Sequence, residues 1–285
     1  MKLGVTGATG QLGRIVIDKL KERISKESIV ALTRSPQKAS DMKVEVREFD
    51  YTKENIVNAL YDIDNLLLIS ASEAGQRVRQ HFNVIEAAKK AGIKWIVYTS
   101  ILHADTSSIS LAEEHLETER ALQASGIPFT ILRNGWYTEN YTGSIQGAIA
   151  AGAFTGSAGD GKISLAARVD YAEAAVAVLT GKDQPGKIYE LAGDEGYTLT
   201  DLAFEISRQT GKHIPYRNLP ESEYAGILKS FGLPADVAKA IAGWDVSASQ
   251  GELYDNSHQL SRLIGRPTTS LSEAVENALM VAREL

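Results

Sequence analysis

Gly4-Val5-Thr6-Gly7-Ala8-Thr9-Gly10-Gln11-Leu12-Gly13 is the stretch that decides the fold of this chain. Leu3, Val5 and Thr6 have the apolar, β-branched character of a buried strand. Three glycines spaced Gly-x-x-Gly-x-x-Gly follow. Leu12, Ile15, Val16, Leu20 and Ile24 then recur at near-helical spacing. Strand, glycine turn and amphipathic helix make up the opening of a nucleotide-binding βαβ unit. In that reading Gly7 permits the tight turn, Gly10 lets the backbone approach a pyrophosphate, and Gly13 lets the helix pack closely on the strand. The phosphates would meet the unpaired N–H groups and partial positive charge of the helix N-terminus.

Outward from this stretch, strand-like and helix-like segments alternate. The pattern predicts strands over 2–6, 28–33, 43–47, 65–70, 95–100, 129–133 and 187–191. Leu66-Leu67-Leu68-Ile69 and Trp95-Ile96-Val97-Tyr98 are continuous apolar runs, as expected of strands covered on both faces. Helical patterns between them end at Gly92 and Gly126. The prediction is an α/β fold, a doubly wound parallel Rossmann-type sheet with a smaller, mostly helical C-terminal lobe. Composition shifts over Gly143–Gly161, which holds six glycines and five alanines. The expected division is therefore a nucleotide-binding domain over 1–150 and a substrate-side lobe over 151–285, with some segments returning to the sheet. Asp170 is expected to cap a helix over 172–179, and further helices are expected over 199–209, 221–231, 235–242 and 257–264.

Composition narrows the function. The chain has 285 residues, 44% of them hydrophobic, enough for a substantial core. Net charge is −6 and the longest basic cluster is Lys89-Lys90. That pattern predicts neither a nucleic-acid patch nor a membrane surface. There are no cysteines, which excludes disulfides, thiolate metal sites and cysteine nucleophiles. The five histidines lack metal-ligand spacing, so no metal is expected. The N-terminus enters the first strand without a charged leader ahead of an apolar run, and a cytoplasmic location is expected.

The ends of the predicted strands carry the candidate site. An NAD-preferring site would place Asp or Glu at the tip of the second strand, to bind the ribose 2′-hydroxyl. Ala31-Leu32-Thr33-Arg34 offers Arg34 instead, with Lys38 a turn beyond. A guanidinium there can grip a 2′-phosphate, so NADP(H) is expected over NAD(H). Asp50 is placed to accept from the adenine amino group and to cap a helix starting near Lys53, the commoner role, and both can hold at once. Ser70, Ala71 and Ser72 are small enough for ribose and pyrophosphate to lie across the strand tips, and Ser72 is expected as an N-cap before Glu73. Gln76 is a weaker candidate for facing the cofactor.

The fifth strand ends Tyr98-Thr99-Ser100, but the next helix carries His115 and Glu119 where a short-chain dehydrogenase has Tyr-x-x-x-Lys. The usual proton donor is missing, and His115 reads as a structural or surface histidine. No catalytic side chain is assigned. After the sixth strand comes Asn134-Gly135-Trp136-Tyr137-Thr138-Glu139-Asn140-Tyr141. Aromatic rings and amides there suit a flat ring. Asn134, Gly135, Trp136, Tyr137, Thr138 and Glu139 are expected at the cofactor, and Trp136, Tyr137, Asn140 and Tyr141 at the substrate. The same aromatics also suit a hinge whose rings are core.

The blocks 5–13, Leu68-Ile69-Ser70, Tyr98-Thr99-Ser100, Leu132-Arg133-Asn134-Gly135-Trp136-Tyr137 and Leu263-Ile264-Gly265-Arg266 resemble the NmrA-like branch of atypical short-chain dehydrogenases. The likeness runs nearly end to end and includes Ser100-Ile101-Leu102-His103-Ala104-Asp105-Thr106-Ser107. It is greatest to the bacterial type 2 NAD(P)H:quinone oxidoreductases, which the Ser72-Glu73-Ala74-Gly75-Gln76 and Gly135-Trp136-Tyr137 stretches fit better than they fit the sister triphenylmethane dye reductases. Lys53 departs from the acidic or small residue common in the family. The resemblance implies NADPH held by Gly7, Ala8, Thr9, Gly10, Gln11 and Leu12, with Arg34, Ser70–Ser72 and Asn134–Glu139. It implies a quinone acceptor and no flavin; separately, a monomer or homodimer is expected. The competing expectations are an NADP(H)-binding redox sensor without turnover and a reductase of triphenylmethane or azo dyes.

Overall fold

The computed structural model describes residues 1–53, 55–73 and 75–281. In chain order the elements begin β1 (Leu3–Val5), α1 (Gln11–Lys21), β2 (Ile29–Thr33), β3 (Glu45–Glu48), β4 (Asn65–Leu68), α2 (Arg77–Ala91), β5 (Trp95–Ile101), α3 (Ala112–Ser125) and β6 (Phe129–Asn134). They continue α4 (Glu139–Thr142), α5 (Ile145–Ala151), β7 (Phe154–Gly156), α6 (Arg168–Thr180), β8 (Ile188–Leu191), α7 (Leu199–Thr210), β9 (Tyr216–Asn218), α8 (Glu221–Ser230), α9 (Ala235–Ser249), α10 (Gln259–Ile264) and α11 (Leu271–Val281).

The described chain divides into two units. The first comprises 1–105, 111–134 and 168–191; the second comprises 106–110, 135–167 and 192–285. The division therefore falls between Asn134 and Gly135, not at 150. Residues 168–191 return to the first unit because α6 is apolar nearly all round, with Tyr171, Ala172, Ala175, Val178 and Leu179 all buried, and β8 pairs with β6.

The first unit is a seven-stranded parallel sheet of order β3-β2-β1-β4-β5-β6-β8. Leu3 pairs with Ile29 on one side and Asn65 on the other, so β1 is central and the strand order reverses between β1 and β4. Residues of β1, β2, β4 and β5 are buried throughout, which accounts for their unbroken apolar sequence. Alternate residues serve opposite faces. Val30, Leu32, Leu66, Leu68, Ile96 and Tyr98 join one core with Val84 and Ile85 of α2 and Leu122 of α3. Val5, Ala31, Leu67 and Val97 point to the other face. The edge strand β3 is partly exposed and correspondingly polar.

Helix α1 buries Leu12, Val16, Ile17 and Leu20 and ends at Lys21, so Ile24 lies beyond it. The second unit contains the two-stranded parallel sheet β7-β9 and helices α4, α5 and α7–α11. Helix α9 runs further than its sequence pattern suggested, to Ser249, because Asp245 and Ala248 are buried along with Ala238 and Ala242. Helix α11 went unread in the sequence, where its run Leu271, Val275, Leu279 is short. Asp170 lies fully buried inside the first turn of α6, not at its cap.

The close approach expected at Gly13 is observed. A Cβ there would stand 2.3 Å from the carbonyl oxygen of Gly7, far inside van der Waals contact. Gly147, in the interior of α5, meets nothing within 4 Å. Gly13→Ala should therefore lower stability by about 1–3 kcal/mol. Gly147→Ala should raise it by up to about 1 kcal/mol, through helix propensity alone. Paired urea denaturation curves check both signs.

Candidate functional site

The glycine loop lies where β1 and β4 diverge, the position at which open α/β sheets bind ligands. Gly7 takes φ +59°, a left-handed conformation that admits glycine readily. The Gly10 N–H donates to the Gly7 carbonyl at 2.9 Å, closing the turn. Gly10 then stands at the N-cap of α1 and offers no side chain to its first N–H groups. Gly10 and Gln11 are exposed, whereas Ala8 and Leu12 are buried and anchor the loop from beneath. The first turn, Gln11-Leu12-Gly13, carries no acid. An anion placed there meets backbone N–H groups and the positive end of the helix. Thr9 Oγ1 lies 2.9 Å from Thr33 Oγ1, tying the loop to the end of β2.

Tyr51 fastens the divergence itself. Its hydroxyl lies 2.5 Å from Thr6 Oγ1 and donates to the Ile69 carbonyl at 2.9 Å. Thr6 Oγ1 in turn accepts from the Ile69 N–H at 3.0 Å. Burial pushes the Tyr51 phenol well above its ordinary range, so it stays protonated. Sequence reading missed this residue. The available signal was a hydroxyl-bearing ring just past β3 and level with the glycine loop.

Ser70, Ala71 and Ser72 follow β4, with Ser70 and Ala71 half-buried and Ser72 exposed. This run is clamped from α2 and α3. The Ser70 N–H donates to Thr99 Oγ1 at 2.9 Å. The Ala71 N–H donates to His81 Nε2 at 2.9 Å, and the Ala71 carbonyl accepts from Arg77 Nε at 2.9 Å. Glu114 holds Arg77 Nη1 at 2.6 Å and the Gly75 N–H at 2.8 Å. These contacts assign the His81 tautomer. Nε2 must accept, so the proton is on Nδ1, which donates to Thr118 Oγ1 at 2.9 Å. The Thr118 hydroxyl itself donates to the Glu114 carbonyl at 3.0 Å.

The structure moves several expected features. Ser72 is not a helix cap, because α2 starts at Arg77 with Gln76 at its N-cap. Ala74 lies outside the described residues. Asp50 caps a turn, not a helix near Lys53: its Oδ1 accepts from the Thr52 N–H and hydroxyl at 3.0 and 2.8 Å. Arg34 is exposed at the tip of β2, as expected, but its Nη1 donates to Glu73 Oε1 at 2.8 Å. Lys38 is exposed in the 3-10 turn that follows.

His115 and Glu119 both point inward. His115 Nδ1 lies 2.7 Å from the Tyr98 hydroxyl, and burial holds its pKa well below the ordinary histidine value. Ser100 donates to Glu119 Oε1 at 2.6 Å. Arg133 binds Glu119 with two nitrogens, at 3.0 and 2.7 Å, and reaches Glu190 and Asp105 through Nη1. The position that a dehydrogenase gives to a proton-relay lysine thus holds one end of a buried ion cluster.

In the second unit, the run from Gly135 is mostly core. Trp136 is buried with its ring edge-to-face on Trp244, centroids 5.6 Å apart. Tyr137 is half-buried in a backbone bridge to Ala166, and Thr138 is buried. Glu139 is half-buried and Asn140 exposed. The buried Tyr141 donates to Asp245 Oδ1 at 2.9 Å. Burial raises the pKa of Asp245, whose second oxygen accepts from the Ser157 N–H. Trp136 and Tyr141 are therefore both buried and packed within the second unit. Asn134 ends β6 in the first unit, buried, with its carbonyl accepting from Leu102. Among the described residues there is no group of three or more metal-ligating side chains, and no helix is long and apolar enough to cross a membrane.

The model of an NAD(P)H-binding family matches residues 7–182, and the chain belongs to that family. It is 52% identical to quinone oxidoreductase 2 of Escherichia coli, over 98% of this chain and 99% of that protein. The solved structure of the E. coli NADPH-dependent quinone oxidoreductase complexed with NADPH superposes with a TM-score of 0.94, covering 97% of this chain and 99% of that one. The Citrobacter triphenylmethane reductase complexed with NADP(H) is 35% identical, with a TM-score of 0.93 over 97% and 100% of the two chains.

The clamp on Ala71 has a pH signature. Burial lowers the His81 pKa from 6.5 to about 3. Between those values the unfolded chain holds a proton that the folded chain lacks, so stability is greatest above pH 6.5 and falls as pH drops toward 3. Chemical denaturation at stepped pH should show this loss. His81→Gln should remove up to about 1 kcal/mol per pH unit of the slope, leaving the contribution of His115.

Proposed function

We propose that this protein is an NADPH-dependent oxidoreductase that passes hydride directly to a quinone, without a flavin. The observation that carries this reading is the near-full-length identity of 52% to a quinone oxidoreductase, on a chain whose glycine loop and Arg34 suit a 2′-phosphorylated dinucleotide.

The residues present fit that cofactor. The open N-terminus of α1 and the backbone of Gly7–Leu12 would hold the pyrophosphate. Arg34 would hold the 2′-phosphate by charge-assisted hydrogen bonds. Ser70, Ala71 and Ser72, clamped by His81 and Arg77, would support the ribose and pyrophosphate without crowding them. Asn134–Glu139 are proposed for the nicotinamide end. Tyr137 and Asn140 are better placed than Trp136 and Tyr141 to meet the acceptor, since the latter two are buried against Trp244 and Asp245. NADPH bound in this way supplies two electrons and one proton as hydride.

The acceptor chemistry explains why a dedicated acid is dispensable. Hydride addition turns the quinone into a phenolate-type anion, and one proton from water completes the hydroquinone. The demand on this chain is orientation. Its buried histidines are held neutral by packing, Ser100 is engaged by Glu119, and Glu119 is in turn held by Arg133. The 35% identity to a triphenylmethane reductase favours cationic dyes as a second acceptor class.

Loss of NADPH absorbance against a panel of quinones and triphenylmethane dyes tests the reading. Turnover of quinones is expected; NADPH binding with no turnover of any acceptor would make the chain a sensor. Arg34→Ala should weaken NADPH binding by about 1.5–3 kcal/mol and leave NADH nearly unchanged, as titration of each cofactor would show. His103→Ala and His115→Asn, where folded by circular dichroism, should each lower kcat for quinone reduction by less than about tenfold. A hundredfold loss with NADPH binding intact would make that histidine the proton donor.

A further inference from the structure

Arg34 is not an open anion receptor. Its Nη1 is engaged by Glu73 Oε1 at 2.8 Å, and the second oxygen of the same carboxylate accepts from Gln80 Nε2 at 2.7 Å. Gln80 is buried in α2, only 4% exposed, so Glu73 is held from the protein side by a rigid amide. The ion pair itself faces water, with side-chain exposures of 63% for Arg34 and 43% for Glu73. Solvent screens it and leaves it separable. The tip of β2 itself carries no acid. Yet the structure brings one to that position from the loop after β4.

This arrangement acts differently on the two nicotinamide dinucleotides. A 2′-phosphate carries negative charge to the guanidinium that Glu73 already occupies. It must displace the carboxylate or share Arg34 with a like charge held within hydrogen-bonding distance of that cation. A free ribose 2′-hydroxyl brings no charge and can donate to a carboxylate, the group NAD-preferring sites use for it. We propose that Glu73 is a specificity-determining residue that competes with the 2′-phosphate for Arg34 and so restrains the preference for NADPH over NADH. The proposal rests on the reading of Arg34 as the 2′-phosphate ligand and deepens it. Gln80 is the positioning residue that keeps the competing carboxylate in place.

The test is fluorescence titration of NADPH and of NADH, separately, into the wild-type protein, E73Q and R34A, each checked for folding by circular dichroism. Glu73→Gln is close to isosteric, keeps a partner for Gln80 and removes only the charge. E73Q is expected to tighten NADPH binding by about three- to fivefold, the scale of a solvent-exposed pair, and to change NADH binding by less than about twofold. Unchanged or weaker NADPH binding in E73Q, alongside a clear NADPH loss in R34A, would overturn the role of Glu73 and leave that of Arg34 standing. Equal tightening of NADPH and NADH in E73Q would also overturn it. NADPH binding unaltered in R34A would remove the Arg34 reading and this inference with it.

Discussion

The hydrogen-bonded divergence of β1 and β4 is the constraint on which the first unit depends. A parallel sheet whose strand order reverses leaves two neighbouring strand tips whose following segments leave in different directions. Something must hold those tips together at the crevice. Here it is Tyr51, bridging Thr6 and the Ile69 carbonyl, with Thr6 also taking the Ile69 N–H. The glycine loop springs from one tip and the Ser70–Ser72 run from the other. Both tips are thereby bonded to one half-buried ring that remains protonated.

Around that fixed point the polar groups of the first unit are spent on holding backbone. His81 and Arg77 grip the N–H and carbonyl of Ala71, and Glu114 grips Arg77 and Gly75. Thr99, at the end of β5, takes the N–H of Ser70. Arg133 and Glu119 neutralise each other in the interior, with Ser100 donating to Glu119, and removing the arginine would leave that carboxylate buried and uncompensated, at a cost of about 3–5 kcal/mol. Where a short-chain dehydrogenase has Tyr-x-x-x-Lys, His115 and Glu119 are hydrogen-bonded inside the first unit. That fits hydride transfer to an acceptor whose reduced form is easily protonated.

The second unit uses its aromatic residues in the same way. Trp136 meets Trp244 edge-to-face, and Tyr141 satisfies one oxygen of the buried Asp245. The run after β6 thus fixes the second unit's own packing before it offers anything to a substrate, which leaves Tyr137 and Asn140 as its more accessible members.

Much of this was legible in the chain itself, for a physical reason. Apolar runs at 66–69 and 95–98, and glycines where a turn and a close helix approach require them, are local signals. Burial on both faces of a parallel strand and the clash of a Cβ with the Gly7 carbonyl follow from neighbours within a few residues or from periodicity alone. The parallel sheet, the glycine loop and Arg34 at the end of β2 could therefore be read directly. What only the tertiary structure decided involves partners far apart in sequence: Glu73 beside Arg34, Tyr51 across Thr6 and Ile69, Asp245 beneath Tyr141, and the return of 168–191 to the first unit. The sequence shows a residue's type and its place in a periodic pattern. Whether an exposed arginine is open or already paired, and whether a tyrosine is a ligand platform or a core ring, depends on which distant backbone the fold brings within three ångströms of it.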